Sequence, residues 1–431
     1  MLKSVTPRNR RVLLSGATGV LQRLAQLAAS LIILPLVLHR LGEAGFGVWG
    51  AATSLTWAAA MLDLGLGGAL VTLLPAARHK GEDPRDYVTA CLLVGLGVGL
   101  ALLAGGAAVL LTWPHLMPSA PFLAAGLCMA VNIPLGLAGS LWFGLQKGHV
   151  AGLWDLVQTG LMLGFVIAGA WAGAGVTVMT LAVFGAGVLA NAGSLGHALA
   201  TQPMLRPKKR PNFAVISHAL RGGALLALIT IAASCAYVFD NVLTLDWLGP
   251  QAAAQMTVAL RVCITATGML MVATQALWPA FVEAVALEDH HWVARTLWRG
   301  TLAVAGLACA GAGLIVLAGN RVLALWLHQD LQLPLPLFLA MAGWIVTLTL
   351  PRVAGLLLNA VAQYRGQFIA QLAATALALG LKPAMAATFG AAGLLGATPL
   401  SALFILCPAY AWLVWRQVVA PRFMKAQPCR S

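Results

Sequence analysis

Charge is the first thing this sequence lacks. Only 9% of its residues are Asp, Glu, Lys or Arg, and only 12 are acidic, against about 25% charged in an ordinary soluble domain. So little polar surface cannot coat a water-soluble globule. A soluble enzyme, a nucleic-acid-binding domain and a secreted disulfide scaffold are thereby excluded. Cysteines are few, seven in all. Cys91, Cys128, Cys235, Cys263, Cys309 and Cys407 fall in apolar stretches and Cys429 in the tail, with no CxxC spacing among them, so neither a zinc site nor a disulfide framework is indicated. Long polar connections are missing too: the longest expected outside connection, Asn320 to Pro336, is too short to form a folded domain.

What is present is apolar. Of the 431 residues, 60% are hydrophobic, and the mean hydropathy is +0.88. At about 20 residues per crossing plus a short connection, this length holds roughly a dozen membrane helices. Lys3, Arg8, Arg10 and Arg11 precede an apolar run that reaches about Leu38. That run is too long for a signal-peptide core and no small-residue cleavage site closes it, so a first transmembrane helix is expected.

Apolar runs bounded by charge or by Gly and Pro predict twelve spans, at 12–39, 45–76, 87–112, 122–145, 150–171, 176–199, 219–246, 252–283, 294–319, 337–361, 367–388 and 393–415. Most of the 26 Lys and Arg fall in alternate connections and both tails, including Arg78, Lys80, Arg85, the cluster Arg206, Lys208, Lys209 and Arg210, and Arg416, Arg422, Lys425 and Arg430. The opposite connections keep Arg40 and Arg321. By the positive-inside rule both termini are expected in the cytoplasm, and the net charge of +14 is topological rather than a sign of a polyanionic partner. Trp113, Trp171, Trp247, Trp292, Trp326 and Trp415 lie near span ends, as an interfacial belt requires.

Spans 1, 2 and 3 reappear as spans 7, 8 and 9 about 207 residues later, and Leu41-Gly42 falls on Leu248-Gly249. Spans 5 and 6 recur at about 217, where Gly173-Ala174-Gly175-Val176 matches Gly390-Ala391-Ala392-Gly393-Leu394 and Gln146-Lys147-Gly148 matches Gln363-Tyr364-Arg365-Gly366. An even number of helices per unit gives both halves one orientation. The expected fold is an all-α polytopic membrane protein of two parallel six-helix repeats, 1–205 and 206–431.

Unpaired polar groups are expensive in hydrocarbon, so their placement is informative. Span 1 carries Ser15, Thr18, Gln22, Gln26 and Ser30 at three- and four-residue spacing, with Arg23 at the edge. Span 7 carries Thr230, Ser234, Tyr237, Asn241 and Thr244, with Asp240 beside them. Span 8 carries Thr257, Arg261, Thr265 and Gln275, and span 2 carries Thr53, Thr56 and Asp63. Spans 3 and 9 are almost uniformly apolar. Spans 1, 2, 7 and 8 are therefore expected to line a wet cavity, with 3 and 9 against lipid. Arg23 and Arg261 lie roughly 16 and 14 Å from the span ends, too deep to snorkel comfortably. Two roles are open to them: contact with a substrate, or ion pairs with Asp63 and Asp240 that hold the halves together. Arg352, after Pro351, and Asn359 and Lys382 are further candidates.

The glycines of Asp63-Leu64-Gly65-Leu66-Gly67-Gly68, like Gly95, Gly99, Gly169 and Gly173, suit close helix packing rather than phosphate binding. Glu288-Asp289-His290-His291 reads as a solvated loop, because adjacent histidines lack helical ligand spacing. No metal or cofactor is called for.

Leu41-Gly42-Glu43-Ala44-Gly45-Phe46-Gly47-Val48-Trp49 followed by Asp63-Leu64-Gly65-Leu66-Gly67 resembles the start of the polysaccharide flippases, the Wzx-like branch of the multidrug/oligosaccharidyl-lipid/polysaccharide (MOP) exporter superfamily. The stretch from Asp240-Asn241 through Leu248-Gly249 to Arg261 is similar to that family's seventh and eighth helices. The resemblance implies a bacterial inner-membrane protein that moves an undecaprenyl-pyrophosphate-linked oligosaccharide to the periplasmic leaflet by alternating access, without enzymatic chemistry of its own. It implies Arg23 and Arg261, with Arg352, for the pyrophosphate; Gln22, Gln26, Tyr237 and Asn241 for sugar hydroxyls; and Asp63 or Asp240 for coupling to H+ or Na+. Membrane lipids and a glycan polymerase or ligase are the implied partners, with no nucleic acid. The alternatives are an ion-coupled small-molecule or drug antiporter of the same fold and a membrane glycan polymerase or ligase. The last would be expected to present a large outer loop that this chain does not have.

Overall fold

The structure is a computed structural model and describes residues 7–62, 66–68, 70–71, 74, 83–112, 119–208, 228–274, 277–327, 332–361 and 363–416. No strand occurs among them. The chain divides into two compact units, Met1–Ala227 and Leu228–Ser431.

The first unit holds α1 (Pro7–Leu62), α2 (Pro84–Thr112), α3 (Ser119–Gly144), α4 (Gly148–Trp171) and α5 (Val176–Thr201). α1 is two helices in one run, broken at Gly42 by φ 68° and ψ 174°. That backbone region is open essentially to glycine alone. α3 packs on α5 and α2, and α4 packs on α1 and α5. Gly95 meets the Pro134 backbone and Gly99 the Ala130 carbonyl, so the α2–α3 crossing is closer than a Cβ would allow. A short turn of helix, Pro203–Leu205, follows α5. Beyond it Lys208 folds back: its amide donates to Thr89 Oγ1 at 2.8 Å, and its ammonium lies 3.0 Å from both Asp83 and Asp86.

The second unit begins with helical residues 228–235, a turn over 236–239, and α6 (Asp240–Leu248). It continues with α7 (Pro250–Thr274), α8 (Leu277–Ala286), α9 (His290–Leu327), α10 (Leu335–Thr349), α11 (Arg352–Ala360), α12 (Tyr364–Ser401) and α13 (Cys407–Val414). α12 is again two helices, broken at Gly390, and a π-helical turn, Ala402–Leu406, leads into α13. α12 packs on α10, α6 and α7, while α11 packs on α8, α9 and α13. Phe281, Leu357, Tyr410 and Leu413 form part of the apolar core among them.

Ten described runs are long and apolar enough to cross a membrane. Two of them, Leu21–Leu55 and Tyr364–Val414, contain the breaks at Gly42 and Gly390. At each of these breaks the sequence places the boundary between two predicted spans. Leu93, Leu96 and Leu100 on α2 and Leu307, Leu314, Leu317 and Leu325 on α9 are exposed. Those helices are spans 3 and 9, whose outward leucines suit hydrocarbon and not water.

Candidate functional site

The polar stripe of the first span winds slowly around the helix. Steps of four residues advance 400° around a helix, so the line drifts about 40° at each step. Thr18 lies against Gly152 of α4, whose missing Cβ makes the room. Gln22 is half-buried, and Gln26 and Arg23 are exposed. Arg23 has no ion pair among the described residues. Asp63 lies outside the described residues.

In the second unit the seventh span is interrupted beside its polar residues. The turn over 236–239 removes the carbonyl of Ala236 from a regular ladder, and two side chains of α12 and its continuation reach it: the Lys382 ammonium and Thr398 Oγ1, the latter at 3.1 Å. Thr375 Oγ1 donates to Ala232 O at 2.7 Å one turn earlier. Thr375 and Lys382 stand seven residues apart, two helical turns, and so present one face to the broken span.

Asp240 opens α6, where a carboxylate favours the helix dipole. Lys382 Nζ donates to its Oδ1, while Oδ2 is buried and without a partner among the described residues. Lys382 is 1% exposed and Asp240 0%. Asp240 is therefore paired with a lysine of its own unit, and neither Arg23 nor Arg261 is its partner. Lys382, one of the further candidates in the sequence, is the partner that hydropathy left unidentified. The missing signal is long-range, because 142 residues separate the two groups.

The other predicted residues occupy different settings. Arg261 is half-buried on α7 and makes no ion pair among the described residues. Asn241 is buried, with a long 3.5 Å contact from Thr257 Oγ1 that joins spans 7 and 8 within the unit. Tyr237 sits in the turn, edge-on to Trp344 at 5.7 Å. Arg352 starts α11 after Pro351, half-buried beside Tyr410, and its Nε finds no partner among the described residues. Asn359 accepts from Gln367 Nε2 at 2.9 Å and fastens the α11–α12 turn. Asp289 caps α9 through the Trp292 amide at 3.0 Å, a structural use of the acidic-histidine loop. No cluster of three metal-binding side chains occurs among the described residues.

Two bundles of broken, kinked membrane helices define a class. The fold is similar to that of an inward-facing multidrug resistance MATE family transporter of the MOP superfamily, at TM-score 0.77 and 14% identity over 94% of this chain and 96% of the other. It is similar also to a MOP-superfamily transporter from Pyrococcus furiosus described for the reverse polarity of its binding pocket, at TM-score 0.64 and 15% identity over 95% and 96%. An outward-facing MATE family transporter matches at TM-score 0.63 and 14% identity over 98% and 97%. By sequence, no curated protein matches the chain significantly. Residues 16–285 match the family described as polysaccharide biosynthesis protein. The chain belongs to that family, and it is a multi-pass membrane protein with the fold of the MOP transporters.

Proposed function

We propose that this chain is a flippase for a lipid-linked oligosaccharide, carrying an undecaprenyl-pyrophosphate-linked glycan from the cytoplasmic to the periplasmic leaflet of a bacterial inner membrane for surface polysaccharide synthesis. The observation that carries this reading is the charge left over inside the spans. Asp240 is neutralised by Lys382 within its own unit, whereas Arg23 and Arg261 have no acidic partner among the described residues. An excess of guanidinium at membrane depth suits an anion with several oxygens, because the planar fork meets phosphate with paired hydrogen bonds. Gln22 and Gln26 on span 1 and Tyr237 and Asn241 on span 7 are the sugar-facing candidates, with Arg352 a further cation. Both termini are cytoplasmic in this reading, and alternating access of the two six-helix units moves the headgroup.

The Asp240–Lys382 pair is the coupling element of the same proposal. In this proposal a cation, H+ or Na+, taken up at Asp240 competes with Lys382 and frees it. Asp63 is the other candidate carboxylate. A drug antiporter of the same fold remains the rival, and it requires a carboxylate free to take up a cation.

The test is export in cells. Arg23→Ala and Arg261→Ala proteins, shown to be inserted by blotting of membranes, should each export glycan at least tenfold less than the parent. Loss of a charge-assisted hydrogen bond of about 1.5–3 kcal/mol corresponds to roughly a ten- to hundredfold weaker contact. Normal surface polysaccharide in both variants would falsify the flippase assignment of these residues.

A further inference from the structure

A second polar site lies in the first unit, apart from the residues assigned to transport. α3 ends at Gly144 and α4 begins at Gly148. Between them the Lys147 amide donates to Trp142 O at 2.8 Å, and Gln146 sits at φ 59°. This is the six-to-one closure of a Schellman turn, in which the left-handed position usually belongs to glycine. Holding a glutamine there strains the backbone, and strained turns gather where a side chain has to be aimed.

The turn aims Lys147 and His149 at the end of α5. A cavity of about 440 Å³ opens there, lined by Trp142, Lys147, His149, His197, Thr201 and Gln202, with no carboxylate in its wall. Its size falls within the range of small-ligand pockets. The wall is fixed: Trp142 Nε1 donates to Ser194 Oγ at 3.1 Å, and the indole lies 5.0 Å from the His197 ring. Lys147 Nζ is 5.9 Å from the centre of the Trp142 ring. Trp154 Nε1 donates to His197 Nδ1 at 3.2 Å. In the neutral ring the hydrogen then resides on Nε2, which stays a donor. His149 Nδ1 is buried and has no partner among the described residues.

A rigid apolar wall with an ammonium, two imidazoles and an amide, and no acid to neutralise the ammonium, calls for an anion with several acceptor atoms. Phosphate is the common biological group of that form, and basic pockets between membrane helices near the interface hold phosphorylated headgroups. We propose that this cavity binds a phosphate group, and that its source is the headgroup of an anionic phospholipid. The site is independent of the transport reading and stands or falls separately.

The full chain, purified in a neutral detergent, can be weighed intact by mass spectrometry after exposure to phosphatidylglycerol, phosphatidylcholine or inorganic phosphate. Retention of one phosphatidylglycerol at least tenfold over phosphatidylcholine, reduced about tenfold by Lys147→Glu, is the expected result. Inorganic phosphate that binds alone and displaces the lipid assigns the pocket to a soluble ligand and overturns the lipid source. Equal retention of both lipids, or retention unchanged by the substitution, overturns the site altogether. His197→Gln removes the imidazole while keeping a polar side chain of similar length, and provides the same reading should Lys147→Glu fail to fold.

Discussion

Lys382 and Asp240 would each be costly alone at their depth, and together they are tolerable. A buried pair contributes little net stability over an apolar substitute, but removing one member leaves an uncompensated charge. Lys382→Met should therefore destabilise the protein by about 3–5 kcal/mol. The double variant Lys382→Met with Asp240→Asn should recover most of that loss. Thermal unfolding in detergent measures both, and a double variant as unstable as the single one would show that the charge is not the cause. Under the proposed coupling role, the double variant folds but no longer moves substrate in response to a proton or sodium gradient. Stability and transport thus separate the pair's two uses. The sequence named Asp240 and Lys382 individually. It did not join them, because two residues 142 positions apart meet only once the helices that carry them have packed.

At the scale of the element, the turns carry the repeat. The four glycines with left-handed φ among the described residues, Gly42, Gly173, Gly249 and Gly390, fall into two pairs matching the internal offsets. Gly42 and Gly249 share nearly one conformation, φ 68° with ψ 174° and φ 88° with ψ 177°. Neither would place a Cβ against a neighbour, so the demand there is torsional alone. Gly42→Ala or Gly249→Ala should cost about 1–3 kcal/mol. Gly97→Ala, mid-helix and with open space around it, should be neutral or stabilising by up to about 1 kcal/mol. Midpoints of thermal unfolding rank the three, and a harmless Gly42→Ala would remove the torsional explanation. Two further turns end in residues other than glycine, Gln146 at φ 59° and Glu288 at φ 54°. Hydropathy shows where a span ends but not which turn absorbs strain, so these two were not legible from the sequence.

For the molecule as a whole, the connection leaving the first unit is tied down by charge. Asp83 caps α2 by accepting from the Arg85 amide at 2.9 Å, with Pro84 at the first helical position. That bond, and then Lys208, hold the Asp83 carboxyl below its ordinary 3.8. Asp83 and then Asp86 raise Lys208 above 10.5. A lowered carboxylate contributes above its unfolded pKa and loses its contribution as pH falls through the folded value; a raised lysine contributes below 10.5 and loses it on the alkaline side. Hydrogen-exchange protection of the Lys208 amide should therefore be flat through the neutral range and fall only in acid, below the ordinary Asp83 value, or in strong alkali. Because the pair is exposed, protection should also weaken with added salt. A protection step near neutrality would assign the tie to a different group.

The all-α membrane class and the family were legible in the sequence alone. Each follows from length, periodic apolarity, basic asymmetry or a short turn motif, and these are local properties read along the chain. Which polar residues meet was decided by tertiary structure. Thr18 turned inward against Gly152 while Gln26 and Arg23, further round the same helix, stayed exposed, because a four-residue ladder rotates as it climbs. Asp240 found Lys382 and neither Arg23 nor Arg261, because a charge in a low-dielectric interior settles on whichever opposite charge packing brings within reach.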